Sequence, residues 1–201
     1  MLAAVVLAAG ESRRMGTPKA LLPCPASLAQ DGRIPTFLEH LLGVAEHPRI
    51  GHTRVVLGAH ADEIRARVRL ADETVVLNPN WPQGQLSSIH AAIRSLPSGT
   101  DGMVLFLVDH PLISKELIAL LIEQFDASRR PIVLPTFNGK RGHPAIFASS
   151  LYDELLAAPL STGARAVVWA HAAEVLQVPT DEEGIVLNLN DPETLKRISA
   201  L

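Results

Sequence analysis

The chain has 201 residues, 47% of them hydrophobic and 19% charged, with a formal charge of -3 at neutral pH. That is enough chain for one well-filled core, so a single domain spanning 1–201 is the default. The slight acidity excludes a broad basic surface for a nucleic-acid backbone and leaves small anionic ligands as the better-matched partners.

The chain opens on "LAAVVLA" at 2–8, an unbroken apolar run of strand length. Residues 1–10 are apolar enough to suggest an export signal, but no basic segment precedes them. Next come a loop at 7–19, a proline-rich connection at 21–35, a helix around "PTFLEHLLGVAEH", a strand in "TRVVLG" and a helix in "ADEIRARVRL". "ETVVLN", the helical "QLSSIHAAIRSL" and a second fully apolar strand, "MVLFLV" at 103–108, follow. Runs of this kind fit strands of a parallel sheet covered on both faces. "SKELIALLIEQFDA" reads as a helix, "PIVLP", "HPAIFAS" and "AEVLQVP" as strands, "SLYDELLAA" and "GARAVVWAH" as short helices, and "IVLNLN" at 185–190 as a final strand or edge segment. Asp191 and Pro192 then offer an N-cap and first position for a terminal helix. The alternation predicts an α/β, three-layer, Rossmann-like fold with a mostly parallel central sheet.

No run reaches the roughly 18 apolar residues of a membrane span. A lone cysteine, Cys24, can form neither an internal disulfide nor a zinc site, which fits a reducing, cytoplasmic setting.

The loop "LAAGESRRMGTPK" at 7–19 raises three possibilities: a phosphate cradle, a solvated turn or a dinucleotide fingerprint. It lacks both G-x-G-x-x-G and the adjacent glycine and lysine of a P-loop. The physics of both still applies, because glycines let main-chain N–H groups approach phosphate oxygens while fixed cations offset their charge. Arg13, Arg14 and Lys19, close together on a mildly acidic chain, favour phosphate binding.

A second element ends the other strong strand, where "MVLFLVDHP" stays apolar until Asp109. Ligands of open parallel sheets bind outside the carboxyl ends of strands, so Asp109 and the Gly10 loop should rim one crevice. A carboxylate facing phosphates needs a cation between them, which makes Asp109 a candidate Mg²⁺ ligand. The plainer role, capping the helix that starts near Ser114, is awkward because Asp109 lies too far upstream.

"LAAGESRRMGTPKALLP", "NPNWPQGQLSSI", "LVDHP", "NGKRGHPAIF" and "VLNLNDPETL" occur in an order that resembles the MobA/MocA-like nucleotidyltransferases, particularly the molybdenum cofactor cytidylyltransferases. The resemblance spans nearly the whole chain and implies Mg²⁺-dependent transfer of a nucleoside monophosphate from an NTP to a phosphorylated acceptor such as molybdopterin. It places Leu7, Ala8, Ala9 and Gly10 at the nucleotide, the last three touching base and ribose through main-chain groups. Arg14 and Lys19 would hold the triphosphate, Asn80, Gly84 and Ser87 would shape the nucleotide pocket, and Asp109 would bind the metal. Arg141, Gly142, His143 and Pro144 would face the acceptor. Asn190 stands where relatives carry a metal-binding aspartate or an asparagine, and it has local turn bonding as its ordinary alternative. The NTP-binding half is expected over about 1–110 and the acceptor half over about 111–201.

The head "LAAG" and "KRGHP" resemble the cytidylyltransferase version, and the tail "NLNDPET" the guanylyltransferase version. CTP is therefore the expected donor and GTP the alternative, followed by transfer to a sugar or alcohol phosphate. Chaperoning of a molybdoenzyme through a nucleotide-shaped pocket and a redox NAD module are the readings from other classes. A molybdoenzyme receiving the cofactor is the expected protein partner, with the chain a monomer or weak homo-oligomer. His110 is expected to be structural, since a phosphate acceptor needs no proton removed. His143 is read as touching substrate, Trp81 as a stacking surface or a lid anchor, and His60, His90 and His171 as scaffold.

Overall fold

The computed structural model describes residues 1–29, 31–191, 193 and 194. β1 (Leu2–Ala8) is buried along its whole length, and β4 (Gly102–Leu107) nearly so. These two strands pair in parallel at the centre of the sheet. β2 (Ile50–Leu57) flanks β1 and β3 (Val75–Leu77) flanks β2, both in parallel. The carboxyl ends of this parallel set lie together and open the crevice described below.

On the far side of β4 the direction changes. β7 (Ala145–Ala148) runs antiparallel to β4 and sits between it and β5 (Ile132–Phe137). β6 (Lys140–Arg141) and β7, consecutive in the chain, take turns along one side of β5, while β8 (Val175–Pro179) pairs in parallel along the other. The sheet is therefore mixed. Most strand pairs are parallel, as the apolar runs suggested, and the antiparallel ones gather around β7 and β5, since a short apolar run reads the same in either direction.

Helices cover both faces. α1 (Phe37–Val44), α2 (Ala61–Arg67) and α4 (Lys115–Ser128) pack over Leu2, Ala4 and Val6 of β1. α3 (Gln85–Ser95), α5 (Tyr152–Ala157) and α6 (Arg165–Ala170) pack over Val5 and Leu7. The period of two along the strand thus supplies two cores.

Local chemistry sets the helix starts. Thr36 and Glu39 form a reciprocal capping box on α1. Ser114 caps α4, accepting from the Leu117 N–H at 3.0 Å, so Asp109 has no capping duty there. The proline-rich connection is tied down by the Cys24 N–H donating to the Pro35 carbonyl at 2.9 Å. Cys24 is buried, and burial pushes its thiol up to about 12, leaving it unreactive.

One expectation near the C-terminus changes. Residues 185–190 do not form a strand: Glu183–Ile185 make a single 3-10 turn, and the Leu189 N–H donates to the Asp109 carbonyl at 2.9 Å. Ile185 and Leu189 are fully buried, so the apolar pattern reports packing of a loop against the core. Asp191 accepts from the Thr194 N–H at 2.8 Å, the bond expected of an N-cap. Pro192 and the remainder of the expected terminal helix lie outside the described residues. Among those described, no helix is long and apolar enough to cross a membrane.

Candidate active site

The crevice begins where β1 stops. Leu7, Ala8, Ala9 and Gly10 form one wall of a cavity of about 240 Å³, and Lys19, Gly84 and Asp109 complete the parts anticipated from the sequence. Small residues at the strand end leave the main chain open to a ligand, as a phosphate-binding turn requires. The loop folds back on itself, with the Lys19 N–H donating to Ser12 Oγ at 3.1 Å. His60 Nε2 donates to the Glu11 carbonyl at 2.9 Å and steadies the outer side of the loop.

Lys19 Nζ lies 3.0 Å from Asp109 Oδ2 and also donates to Asn190 Oδ1. Both charged side chains are largely buried. The Leu189–Asp109 main-chain bond is what brings Asn190, far along the chain, to this point. One carboxylate oxygen and one amide oxygen thus grip an ammonium at the crevice mouth. These are hard oxygen donors of the type Mg²⁺ takes together with phosphates and water. Among the described residues, no group of three or more His, Cys, Asp or Glu side chains could hold a metal, so any metal site here draws on this oxygen pair and on the ligand.

The opposite wall is the turn leading into α3. Gly84 precedes the helix at φ 99° and ψ -178°, a region open almost solely to glycine. α3 has no side-chain cap, and its first residue, Gln85, lines the crevice. Uncapped N–H groups at a helix start favour anions. Trp81 also lines the crevice and packs on Gly58, where an added Cβ would come within 2.8 Å of the indole and 2.6 Å of the Ala9 carbonyl. This close approach fixes Trp81 against the loop that follows β1.

Three expected residues stand elsewhere. Asn80 and Ser87 border a separate surface depression, and Ser87 Oγ donates within the turn to the Gly84 and Asn80 carbonyls. A helix turns about 100° per residue, so the neighbouring Ser88, not Ser87, reaches the crevice. The organiser of this turn is Asn78, which sequence reasoning passed over. Its Nδ2 donates to Ser87 and Ser88 at 2.9 and 3.0 Å, and its Oδ1 accepts from the Asn80 N–H. Its place at the end of an apolar run, directly before Pro79, was the available signal. Arg14 is exposed and does not line the crevice, while neighbouring Arg13 pairs with Glu11 at 2.7 Å.

A second cavity, of about 460 Å³, lies beyond Gln85, which lines both. Arg141, Gly142 and His143 are on its wall, together with Leu86 and Leu105 from the first half of the chain. The Gly142 N–H donates to the Pro135 carbonyl and the His143 N–H to the Ile185 carbonyl, at 2.9 and 3.0 Å. The rings of His143 and His110 stand 5.3 Å apart, with both Nδ1 atoms sealed from solvent and unpaired. Burial, reinforced by His110, pushes the His143 imidazole down to about 4, and burial also lowers His110. Both rings are neutral at neutral pH, so the pair serves as a packed partition beside Asp109. His90 and His171 bond within the scaffold, to the Leu155 carbonyl and to Glu154 and Glu174.

Comparisons with known proteins give the family. The sequence profile of the family described as "MobA-like NTP transferase domain" matches residues 4–175. A probable molybdenum cofactor guanylyltransferase of Mycobacterium avium (strain 104) is 30% identical over 98% of this chain and 95% of its own. The molybdenum cofactor cytidylyltransferase of Escherichia coli (strain K12) is 23% identical over 94% of this chain and 91% of its own. The crystal structure of Rv0371c from Mycobacterium tuberculosis H37Rv superimposes with a TM-score of 0.80 at 26% identity, covering 100% of this chain and 99% of that one. With the profile running from β1 to the start of β8, over the strands and loops that build both cavities, the chain belongs to the MobA-like NTP transferase domain family and is a nucleotidyltransferase.

Proposed function

We propose that the protein transfers a nucleoside monophosphate from an NTP to the terminal phosphate of a molybdopterin-type acceptor and releases pyrophosphate. The observation that carries this reading is the junction of two cavities at Gln85, one lined by Lys19, which Asn190 contacts, and Asp109, the other by Arg141 and His143. Donor and acceptor then meet beside the uncapped start of α3.

The NTP would lie against Leu7 to Gly10, with Lys19 and the N–H groups at the head of α3 holding its phosphates. Arg14 adds positive charge from the exposed side of the same loop. An oxygen of the acceptor phosphate attacks the α-phosphorus in line. A new P–O bond forms as the bond from that phosphorus to the α–β bridging oxygen breaks, and pyrophosphate departs with the electron pair. The attacking oxygen is already ionised at neutral pH, so no side chain has to remove a proton, and the neutral, sealed histidines are not asked to. Positioning and charge compensation supply the rate. Asp109 and Asn190 would hold Mg²⁺, which when bound offsets charge on the phosphate oxygens.

GTP is the favoured donor. The guanylyltransferase relative is closer in sequence than the cytidylyltransferase one, 30% against 23%, and Asn188 and Asn190 give the tail its guanylyltransferase form. The "LAAG" head and "KRGHP" support CTP as the second reading.

Pyrophosphate release with Mg²⁺ and molybdopterin, comparing GTP, CTP, ATP and UTP, tests both. A preference for GTP of about tenfold or more in kcat/KM is expected, tenfold corresponding to about 1.4 kcal/mol of discrimination. A CTP preference would hand the assignment to the second reading, and silence with all four would sink the acceptor.

A further inference from the structure

The mouth of the second cavity carries a feature that the packing of the fold does not use. Trp169 is 63% exposed and Leu160 44%, and both line this cavity. On α6 Val167 is buried in the core with the partly buried Val168 packed against it, while Arg165, Val168 and Trp169 line the cavity. Residues three and four apart share a helix face, so Arg165 and Trp169 present a cation and an aromatic ring side by side. Arg141 reaches the same cavity from β6. Among the described residues, neither guanidinium has an ion-pair or hydrogen-bond partner.

We propose that Trp169, Arg165 and Arg141 form the recognition wall for the acceptor, the indole stacking on a planar heterocycle while the two guanidinium groups take its anionic substituents. The proposal rests on the functional reading above and names residues that select the acceptor. An indole facing solvent contributes little to folding, but against a flat ring it offers broad contact at low conformational cost. Stacking of nucleobases on aromatic side chains shows the size of such an effect. Unpaired guanidinium groups bind phosphate in a fork geometry that lysine does not reproduce. The floor beneath them is apolar, with Leu86, Leu134 and Phe147 below the rim, and suits the face of a ring better than a sugar rich in hydroxyls.

Calorimetric titration of the intact protein with neopterin monophosphate, a phosphorylated pterin, and separately with the NTP and Mg²⁺ tests this. Trp169→Ala should weaken the pterin phosphate by about tenfold or more, and Trp169→Phe should restore affinity to within about threefold, as stacking predicts. Arg165→Ala should weaken the same ligand and flatten its salt dependence. NTP affinity should be unchanged in all three. In turnover with molybdopterin, the acceptor KM should rise in Trp169→Ala while the NTP KM does not.

Equal pterin-phosphate affinity in wild type and Trp169→Ala would overturn the proposal. So would a wild-type protein that binds NTP but no phosphorylated pterin, which would leave transfer to some other phosphate standing. Failure to bind NTP at all would remove the functional reading and the proposal with it.

Discussion

At the carboxyl ends of β1 and β4, the first crevice is lined along the β1 loop by small residues that leave main chain open, whereas the cavity beyond Gln85 is walled by side chains that include those of α3, β5, β6, β7 and α6. The first rests on the parallel half of the sheet and the second on the half that reverses direction at β7. A wall of main chain reads features common to every NTP, and few substitutions can retune it. A wall of side chains can be rewritten one residue at a time, which makes the acceptor side the natural place for selectivity.

Substitutions on the crevice side should therefore cost the most. Asp109→Asn keeps the shape of the Lys19 contact but removes its charge, and a fall in kcat of about 100-fold or more is expected for loss of one electrostatic stabiliser. Pyrophosphate release measures it, with an unchanged melting temperature as the control for folding. Near-wild-type turnover would take Asp109 out of the chemistry. Lys19→Ala should raise the NTP KM about tenfold or more with little effect on the acceptor KM, read from paired substrate titrations. A parallel rise in both would erase the division between the two regions.

Gly84→Ala comes next. Strain in its backbone region costs about 1–3 kcal/mol, and a domain of this size loses about 2–4 °C in melting temperature per kcal/mol. Because Gly84 lines the crevice alone, the NTP KM should rise as well.

The smallest effect concerns pH and belongs to His143, on the wall of the second cavity. The folded state holds His143 down to about 4, while the unfolded chain takes up its proton near the ordinary value of 6.5. His143 therefore contributes its full stability above that upper value, and the contribution is lost as pH falls through the window. In chemical denaturation from pH 7 to 4.5, His143→Gln should lose less stability than the wild type. Parallel curves would show that the ring carries no such linkage.

The same contrast explains what could be read beforehand. β1, its loop and Asp109 are written in consecutive residues whose apolar pattern and charges announce the crevice. The resemblance gave Lys19 and Asn190 separate roles in one site, and the contact between them, which joins residues far apart in the chain, appears only in the structure. The reversal at β7 left no trace in "HPAIFAS", since direction is decided by what lies beside a strand. Ser87 was chosen over Ser88 by motif position, and the rotation of α3 settles which serine reaches the crevice. Trp169 escaped notice because "GARAVVWAH" reads as an ordinary short helix, and only its exposure beside an apolar cavity distinguishes the indole.

Gln85 borders both cavities, and this bears on what happens once the bond has formed. On the proposed reading, each substrate fills one cavity and can leave by giving up one set of contacts. The joined product spans both, so when one end lets go the other keeps it at high local concentration, and recapture competes with escape. On the proposed reading, the joined product is therefore expected to leave more slowly than either substrate. An enzyme in that position gains throughput from whatever draws the finished molecule away.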